Sequence, residues 1–458
     1  IPTQPALRTA VHTLMQGTQQ HSKSKSDVPT LMSSGLLFFL LLYGYFLLRP
    51  LREAMGVQRS MSDLRSLFII TSIVSLAVTL AFGSLVARTN PRRFIAIGYR
   101  IVIACLLIFV VTIKALPQDY KLYSGYVFYV WLSVVNLFMV SVFWGFMADT
   151  WTLRDAKRLY PIIGVGGTLG ALLGSFTAWN TADFIGPIWQ MLGACVCFEL
   201  AVQVMRRVKP TTHHSQEHEH HQQTDPIGGS WHEGAKTILR SPYLLGIGLY
   251  ITFIAISSTL IYFTQANIVT DAEEELTQRI ALFAQLDMWT QLATLLVQLF
   301  VTAQLIKRLG IAVALAVLPF VTVLGFSILA WMAKQANIEA WQIFAVFAAF
   351  NAIHRASRYA IIRPARETLF SVVSRQEKYK SKPIIDVFLY RGGDVAGAGI
   401  ESLLAATVVG LSGMALAAAP LAVFWTGLSI MLARTQNRKS TPGHHENAHS
   451  SQAQEPTP

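Results

Sequence analysis

Charged side chains interrupt long apolar runs at three places in this sequence, and they are the residues hardest to explain as packing. The first place is Arg49-Pro50-Leu51-Arg52-Glu53, directly after the 13-residue apolar run Leu36 to Leu48. As a helix that run spans only about 20 Å, short of a hydrocarbon core of roughly 30 Å. The helix is therefore expected to continue through the charges. Tyr45, Arg49, Arg52 and Gly56 then share a face, and Pro50 can kink the helix. The second place follows Asn351 and holds His354, Arg355, Arg358, Arg363 and Arg366. Arg363 and Arg366 are expected at the inner membrane surface, with Arg355 and Arg358 deeper. The third holds Asp386, Tyr390, Arg391, Asp394 and Glu401 among Gly392, Gly393, Gly397 and Gly399. Glu199, Asp287 and Arg100 are single charges in other apolar runs, where a structural ion pair is at least as good a reading as a substrate contact.

A lone charge at bilayer depth costs roughly 2.5–3.5 kcal/mol on insertion scales. It is tolerated if it snorkels to the headgroups or faces a water-filled cavity. In a cavity, arginines outnumbering carboxylates point to a small anionic substrate, because the guanidinium forks onto carboxylate or phosphate. The candidate substrate-binding set is Arg49, Arg52, Arg355, Arg358 and Arg391, with Tyr45, Asn136 and Asn351. Glu53, Asp394, Glu401, Asp287 and Glu199 are candidates for balancing those charges or for carrying a coupling proton.

The elements that position these groups follow from composition. Of 458 residues, 53% are hydrophobic and 14% charged, with a mean hydropathy of +0.44. Twelve spanning helices of about 20 residues nearly exhaust the apolar supply. A soluble enzyme, a disordered chain and a disulfide scaffold are excluded. Apolar runs of spanning length fall at 32–56, 66–87, 94–115, 123–148, 159–181, 184–205, 243–265, 281–305, 310–333, 338–361, 384–409 and 411–433. The chain thus reads as an all-α integral membrane protein. A cytoplasmic segment 1–31 precedes a six-helix half 32–205. A His-rich cytoplasmic linker 206–242 and a second six-helix half 243–433 follow, then a disordered cytoplasmic tail 434–458. The linker carries His213, His214, His218, His220 and His221, which fit a solvated linker or a weak metal site.

The net charge of +12 is read as topology signal rather than nucleic-acid binding. With the N-terminus inside, Arg88, Arg92, Arg93, Arg154, Lys157, Arg158, Arg206, Arg207, Lys307, Arg308, Lys380 and Lys382 all fall on cytoplasmic loops, and the outside loop 270–279 is acidic. Both termini are expected in the cytoplasm. Cys105, Cys195 and Cys197 lie inside apolar runs and read as packing residues. Gly164-Val165-Gly166-Gly167-Thr168-Leu169-Gly170 has a dinucleotide-type glycine pattern but no βαβ context; as GxxxG it favours close helix packing. Neither a Walker lysine nor a nucleophile triad emerges, so no enzyme, cofactor or metal is expected.

The halves echo one another, as Lys157-Arg158-Leu159-Tyr160-Pro161 and Lys380-Ser381-Lys382-Pro383 show, which suits a two-fold transporter. The segment Gly83 to Phe94 resembles the loop after the second helix of major facilitator transporters, with Ala87 where that superfamily has an acid. Three further blocks resemble the ATP/ADP translocase family of nucleotide transporters. They are Leu47 to Glu53, Phe143-Trp144-Gly145-Phe146 with Ala156 to Pro161, and Ala365 to Phe370 with Lys378 to Val387. Arg52 stands where that family has a lysine, and Leu132 where it has an acid. The resemblance implies a twelve-helix major-facilitator-like bundle and nucleotide exchange by alternating access. The residues themselves imply an anionic substrate, and secondary transport of an organic anion is the reading adopted, with a bacterial inner membrane as its expected location and a monomer as its expected state. A proton-coupled carrier of a siderophore, drug or other amphipathic metabolite is the alternative, and a non-transporting lipid-handling protein a third reading.

Overall fold

A computed structural model describes residues 4–86, 91–208, 231–300, 302–335, 337–406 and 410–440. His213, His214, His218, His220 and His221 of the linker, the residues from 441 onward and Arg88 lie outside them. The helices are α1 (Gln4–Gly56), α2 (Met61–Val86), α3 (Pro91–Ala115), α4 (Gln118–Thr150), α5 (Leu153–Arg207), α6 (Trp231–Arg240), α7 (Pro242–Ala272), α8 (Leu276–Phe300), α9 (Thr302–Met332), α10 (Ala340–Ala356), α11 (Arg363–Leu369), α12 (Arg375–Pro383), α13 (Tyr390–Ala406) and α14 (Gly410–Ser440). Two π-helical stretches, Ser357–Ile362 and Ile384–Leu389, continue α10 and lead into α13.

Among the described residues nine helices are long and apolar enough to cross a membrane. Three further crossings complete twelve. Gly186 has φ +73°, next to Pro187, and breaks α5 into two arms. The other two crossings are α10 with its π continuation and the second π stretch with α13. Their regular helical parts are only 17 residues long, and they carry the charges that drew attention in the sequence. Large apolar side chains such as Ile97, Ile108 and Val111 are exposed along α3, as expected where the solvent is lipid.

Each half is built on one close helix pair. In the first, Gly166 and Gly174 of α5 lie so near α1 that a Cβ would sit 2.8 Å from the Gly35 oxygen and 2.5 Å from the Tyr43 oxygen. In the second, a Cβ on Gly393 of α13 would lie 2.7 Å from the Thr252 oxygen of α7. The small-residue spacing read from sequence thus brings backbones together, as in lipid it must to gain van der Waals contact. Between halves, α5 packs on α8, α1 on α8 and α2 on α13. The stretch expected as linker contains α6, which packs on α12, and the last helix continues to Ser440 where a disordered tail was expected. Arg438 and Lys439 in its final turn suit the negative end of the helix dipole.

Candidate functional site

The charges read from sequence converge where the halves meet. Pro50 leaves α1 helical to Gly56, so Arg49, Arg52 and Glu53 project from the wall of one half. Arg49 is buried and pairs with Asp287 of α8; its second nitrogen lies 3.7 Å from Glu53. Arg355 also reaches Asp287, at 3.3 Å. Arg52 pairs with Glu53, donates to Ser133 Oγ at 3.0 Å and stacks over the Tyr129 ring at 5.1 Å. Tyr262 of α7 donates to Glu53 at 2.7 Å, so the 2.6 Å bond between the two tyrosines has Tyr129 as donor.

These contacts, together with Arg65 and Glu401, form a plug across the bundle. Arg65 of α2 binds both oxygens of Glu401 of α13, at 2.6 and 3.0 Å, and Arg279 donates to the Val57 carbonyl at 3.0 Å. The plug sits where α1 and α7 end and α2 and α8 begin, the end opposite the chain termini.

Beyond it lies a cavity of about 630 Å³, lined from both halves. Arg49, Arg52, Arg355, Arg363 and Arg391 line it, with Phe46, Trp144 and Tyr359 among its aromatic walls. A second chamber of about 510 Å³ shares Leu137, Ser141, Tyr359, Arg363 and Arg391 with the first and adds Arg358, Arg366 and Asp386. Thr168 and Gln298, 3.2 Å apart, close one flank towards the termini.

Of the residues singled out from sequence, Tyr45 and Asn136 line the first cavity. Asn351 is buried one layer back and donates to Thr290 Oγ1 at 3.4 Å. Arg391 lies at the junction of the chambers, paired at 3.0 Å with Asp394, which also accepts from Thr259. Arg358 donates to Ser258 Oγ at 2.8 Å and to Tyr390. Glu401 belongs to the plug. Glu199 is not brought to the site: it pairs with Arg100 at 3.0 Å on the outer face, both partly exposed. His354 is buried, its ring edge-on to Phe350, which fits a packing role.

Arg363 was expected at the inner surface and instead lines both chambers. The π stretch sets the direction of its side chain: the extra residue per turn rotates everything after Ser357 relative to an α-helix, which the charge spacing alone could not reveal. Arg65 carries no local mark of its role: its partner Glu401 is 336 residues away. Outside the bilayer, burial works to raise the Glu367 carboxyl, but Lys382, donating at 2.6 Å, and Arg366 hold it below the usual carboxylate range.

Chemically the site is a polar, arginine-rich chamber between two rigid halves, closed at one end. It has the means to bind an anion and to release it when the halves rock. Comparisons with known proteins agree with that architecture. The fold resembles the nucleoside transporter NupG with a TM-score of 0.58 at 10% identity, covering 90% of this chain and 100% of that one. It also resembles a bacterial homologue of the human lysosomal transporter Spinster, solved inward-facing and unoccupied, with a TM-score of 0.55 at 13% identity over 90% of this chain and 98% of that one. These likenesses show the fold alone, an all-helical major-facilitator-like bundle. In sequence, the chain is 22% identical over 430 residues to ADP,ATP carrier protein 2, chloroplastic, of Arabidopsis thaliana, covering 81% of this chain and 68% of the relative. It is 23% identical over 318 residues to ADP,ATP carrier protein 1 of Chlamydia muridarum, covering 63% of this chain and 60% of the relative. Residues 118–436, well over half of the chain, match the sequence model of the TLC ATP/ADP transporter. This multi-pass membrane protein therefore belongs to the TLC ATP/ADP transporter family and is a carrier rather than an enzyme.

Proposed function

We propose that this chain exchanges nucleotides, by alternating access of two six-helix halves, across a bacterial inner membrane. The observation that carries the reading is the charge balance of the inter-half chambers. Arg49, Arg52, Arg355, Arg358, Arg363 and Arg391 face Glu53, Asp287 and Asp394 as their only carboxylate partners among the described residues. Cations are left over, and aromatic rings lie beside them. A nucleotide supplies both complements, a phosphate anion and a flat ring that stacks on an aromatic face. The names of the relatives support the same substrate class. Exchange follows from the same imbalance. Occluding the empty site would bury unpaired cations, which is strongly unfavourable, so each crossing is easiest with an anion bound.

The Lys and Arg asymmetry of the loops supports cytoplasmic termini. With that orientation the plug faces outward and the chambers face the cytoplasm. The carrier acts as a monomer, and the stretch 206–242 joins its rocking halves. Asp394 and Glu401 act as charge partners in this reading, with no coupling proton. The test is uptake of labelled ATP into proteoliposomes preloaded with ADP, buffer or a pH gradient. Uptake should require internal nucleotide and ignore the gradient. Uptake driven by the gradient into liposomes without nucleotide would overturn exchange and favour proton-coupled transport of a different metabolite.

A further inference from the structure

The two chambers differ in how their arginines are satisfied. Around the first, Arg49, Arg52 and Arg355 each meet a carboxylate, Glu53 or Asp287. Around the second, Arg358 meets only neutral oxygens, from Ser258 and Tyr390, and lies over the Tyr359 and Tyr390 rings at 5.3 and 5.4 Å. Arg363 has no carboxylate within 4 Å among the described residues. Arg391 is held by Asp394, and Arg366 by Glu367 at 3.3 Å and Asp386 at 3.5 Å.

Backbone geometry puts together the two cations that have no carboxylate within 4 Å, Asp394 and Asp386 acting on them only at longer range. In an α-helix, residues five apart point about 140° away from one another. Here the Arg363 amide donates to the Arg358 carbonyl across a π turn, so the two side chains leave the helix one above the other. The chamber behind them holds a further sign of a missing polar partner: Arg366 Nε is buried and makes no hydrogen bond.

We infer that the second chamber is the polyphosphate subsite: Arg358 and Arg363 hold the phosphate chain, Arg391 sits at its mouth, and the nucleoside lies against the aromatic walls of the first chamber. This inference rests on the nucleotide reading above and deepens it. Arg49 then joins the halves through Asp287, Arg52 and Arg355 are neutralised within their own halves, and the carrier selects di- and triphosphates over monophosphates. A monophosphate spanning the junction reaches Arg391, already neutralised, and leaves the free pair unmet.

The experiment is competition against labelled ATP exchange by AMP, ADP, ATP and inorganic tripolyphosphate, in the wild type and in Arg358→Gln, Arg363→Gln, Arg363→Lys and Arg52→Gln. In the wild type, potency should climb from AMP to ATP, and tripolyphosphate should compete without any base. Arg358→Gln and Arg363→Gln should each shrink the ATP-to-AMP ratio roughly ten- to hundredfold, the scale of one charged hydrogen bond. Arg363→Lys should keep part of it, and Arg52→Gln should leave the ratio unchanged. An unchanged ratio in both glutamine variants, or a ratio collapsed by Arg52→Gln instead, overturns the assignment. If the variants do not fold, the wild type decides: failure of tripolyphosphate to compete also overturns it. A wild type that exchanges AMP as well as ATP sinks the subsite alone. One that exchanges no nucleotide sinks the functional reading with it.

Discussion

Arg65→Ala should tip the carrier away from the state described here. The Arg65 side chain binds both oxygens of Glu401, at 2.6 and 3.0 Å, and joins α2 of one half to α13 of the other. Glu401 is 1% exposed and the Arg65 side chain 22%. Removing one partner of a fully buried pair costs about 3–5 kcal/mol, and the loss of one charged hydrogen bond about 1.5–3 kcal/mol. Partial exposure of Arg65 screens the pair, so the lower range applies. The bond exists only while the plug is closed, so about 2 kcal/mol of it is differential between states, roughly a thirtyfold shift toward opening at that end. A cysteine placed at Val140, which lines the cavity, reports this in a background without Cys105, Cys195 and Cys197. An impermeant maleimide applied outside should label it faster in Arg65→Ala and Glu401→Gln, and the swap Arg65→Glu with Glu401→Arg should restore protection. Unchanged labelling in both single variants would refute the latch.

Three further outcomes are expected. A cysteine at Glu274 should react with an impermeant reagent from outside and one at His220 should not; the reverse pattern would overturn the orientation and with it the outward-facing plug. Asp287→Ala strands Arg49 and Arg355 without their shared carboxylate, so exchange should fall at least tenfold, and near-normal rates would show the pairs to be incidental. Gly174→Val drives side-chain atoms towards the Tyr43 carbonyl across the α1–α5 contact, so the thermal midpoint should drop by an amount matching about 1–3 kcal/mol of overpacking; an unaltered midpoint would mean that the two helices part easily.

Much of this architecture was legible because the bilayer leaves few options. Apolar runs of about 20 residues must be spans, and charges within them must face something polar. The short run ending at Leu48 was enough to place Arg49 and Arg52 inside the bundle. Glycines four apart in α5 marked a close helix contact, and the structure supplies its partner, α1. What stayed hidden was of two kinds. Pairings across hundreds of residues, such as Arg65 with Glu401 or Arg49 with Asp287, leave no mark on local spacing. The π stretches leave none either: a helix wheel drawn at 100° per residue misdirects every side chain beyond Ser357, so it could not show that Arg358 and Arg363 line the same chamber. The departure of Glu199 has a simpler cause, since Arg100 on the neighbouring α3 satisfies it at the bundle's outer face.

The arrangement of carboxylates also bears on how the halves separate. Asp287 lies on the second half and holds Arg49 of the first and Arg355 of its own. Glu53 lies on the first half and holds Arg52, with Arg49 3.7 Å away. If the plug opens, the Arg49–Asp287 bond breaks, yet each arginine of this set still has a carboxylate on its own side. Only the sharing changes. The cationic plug therefore passes between states without exposing an unpaired charge, which keeps the two states close in energy, as a bistable element requires. Arg358 and Arg363 have no such internal partner in reserve. Asp394 and Asp386 act on them only from beyond 4 Å, and the rest of their charge is met by water while the chambers are open and, in the proposed cycle, by a bound anion when they close. On the proposed reading, closure over this pair and not opening of the plug is the step an empty carrier should find hardest. On the proposed exchange reading, this pair is where a fold that elsewhere balances its charges would favour crossing with an anion bound.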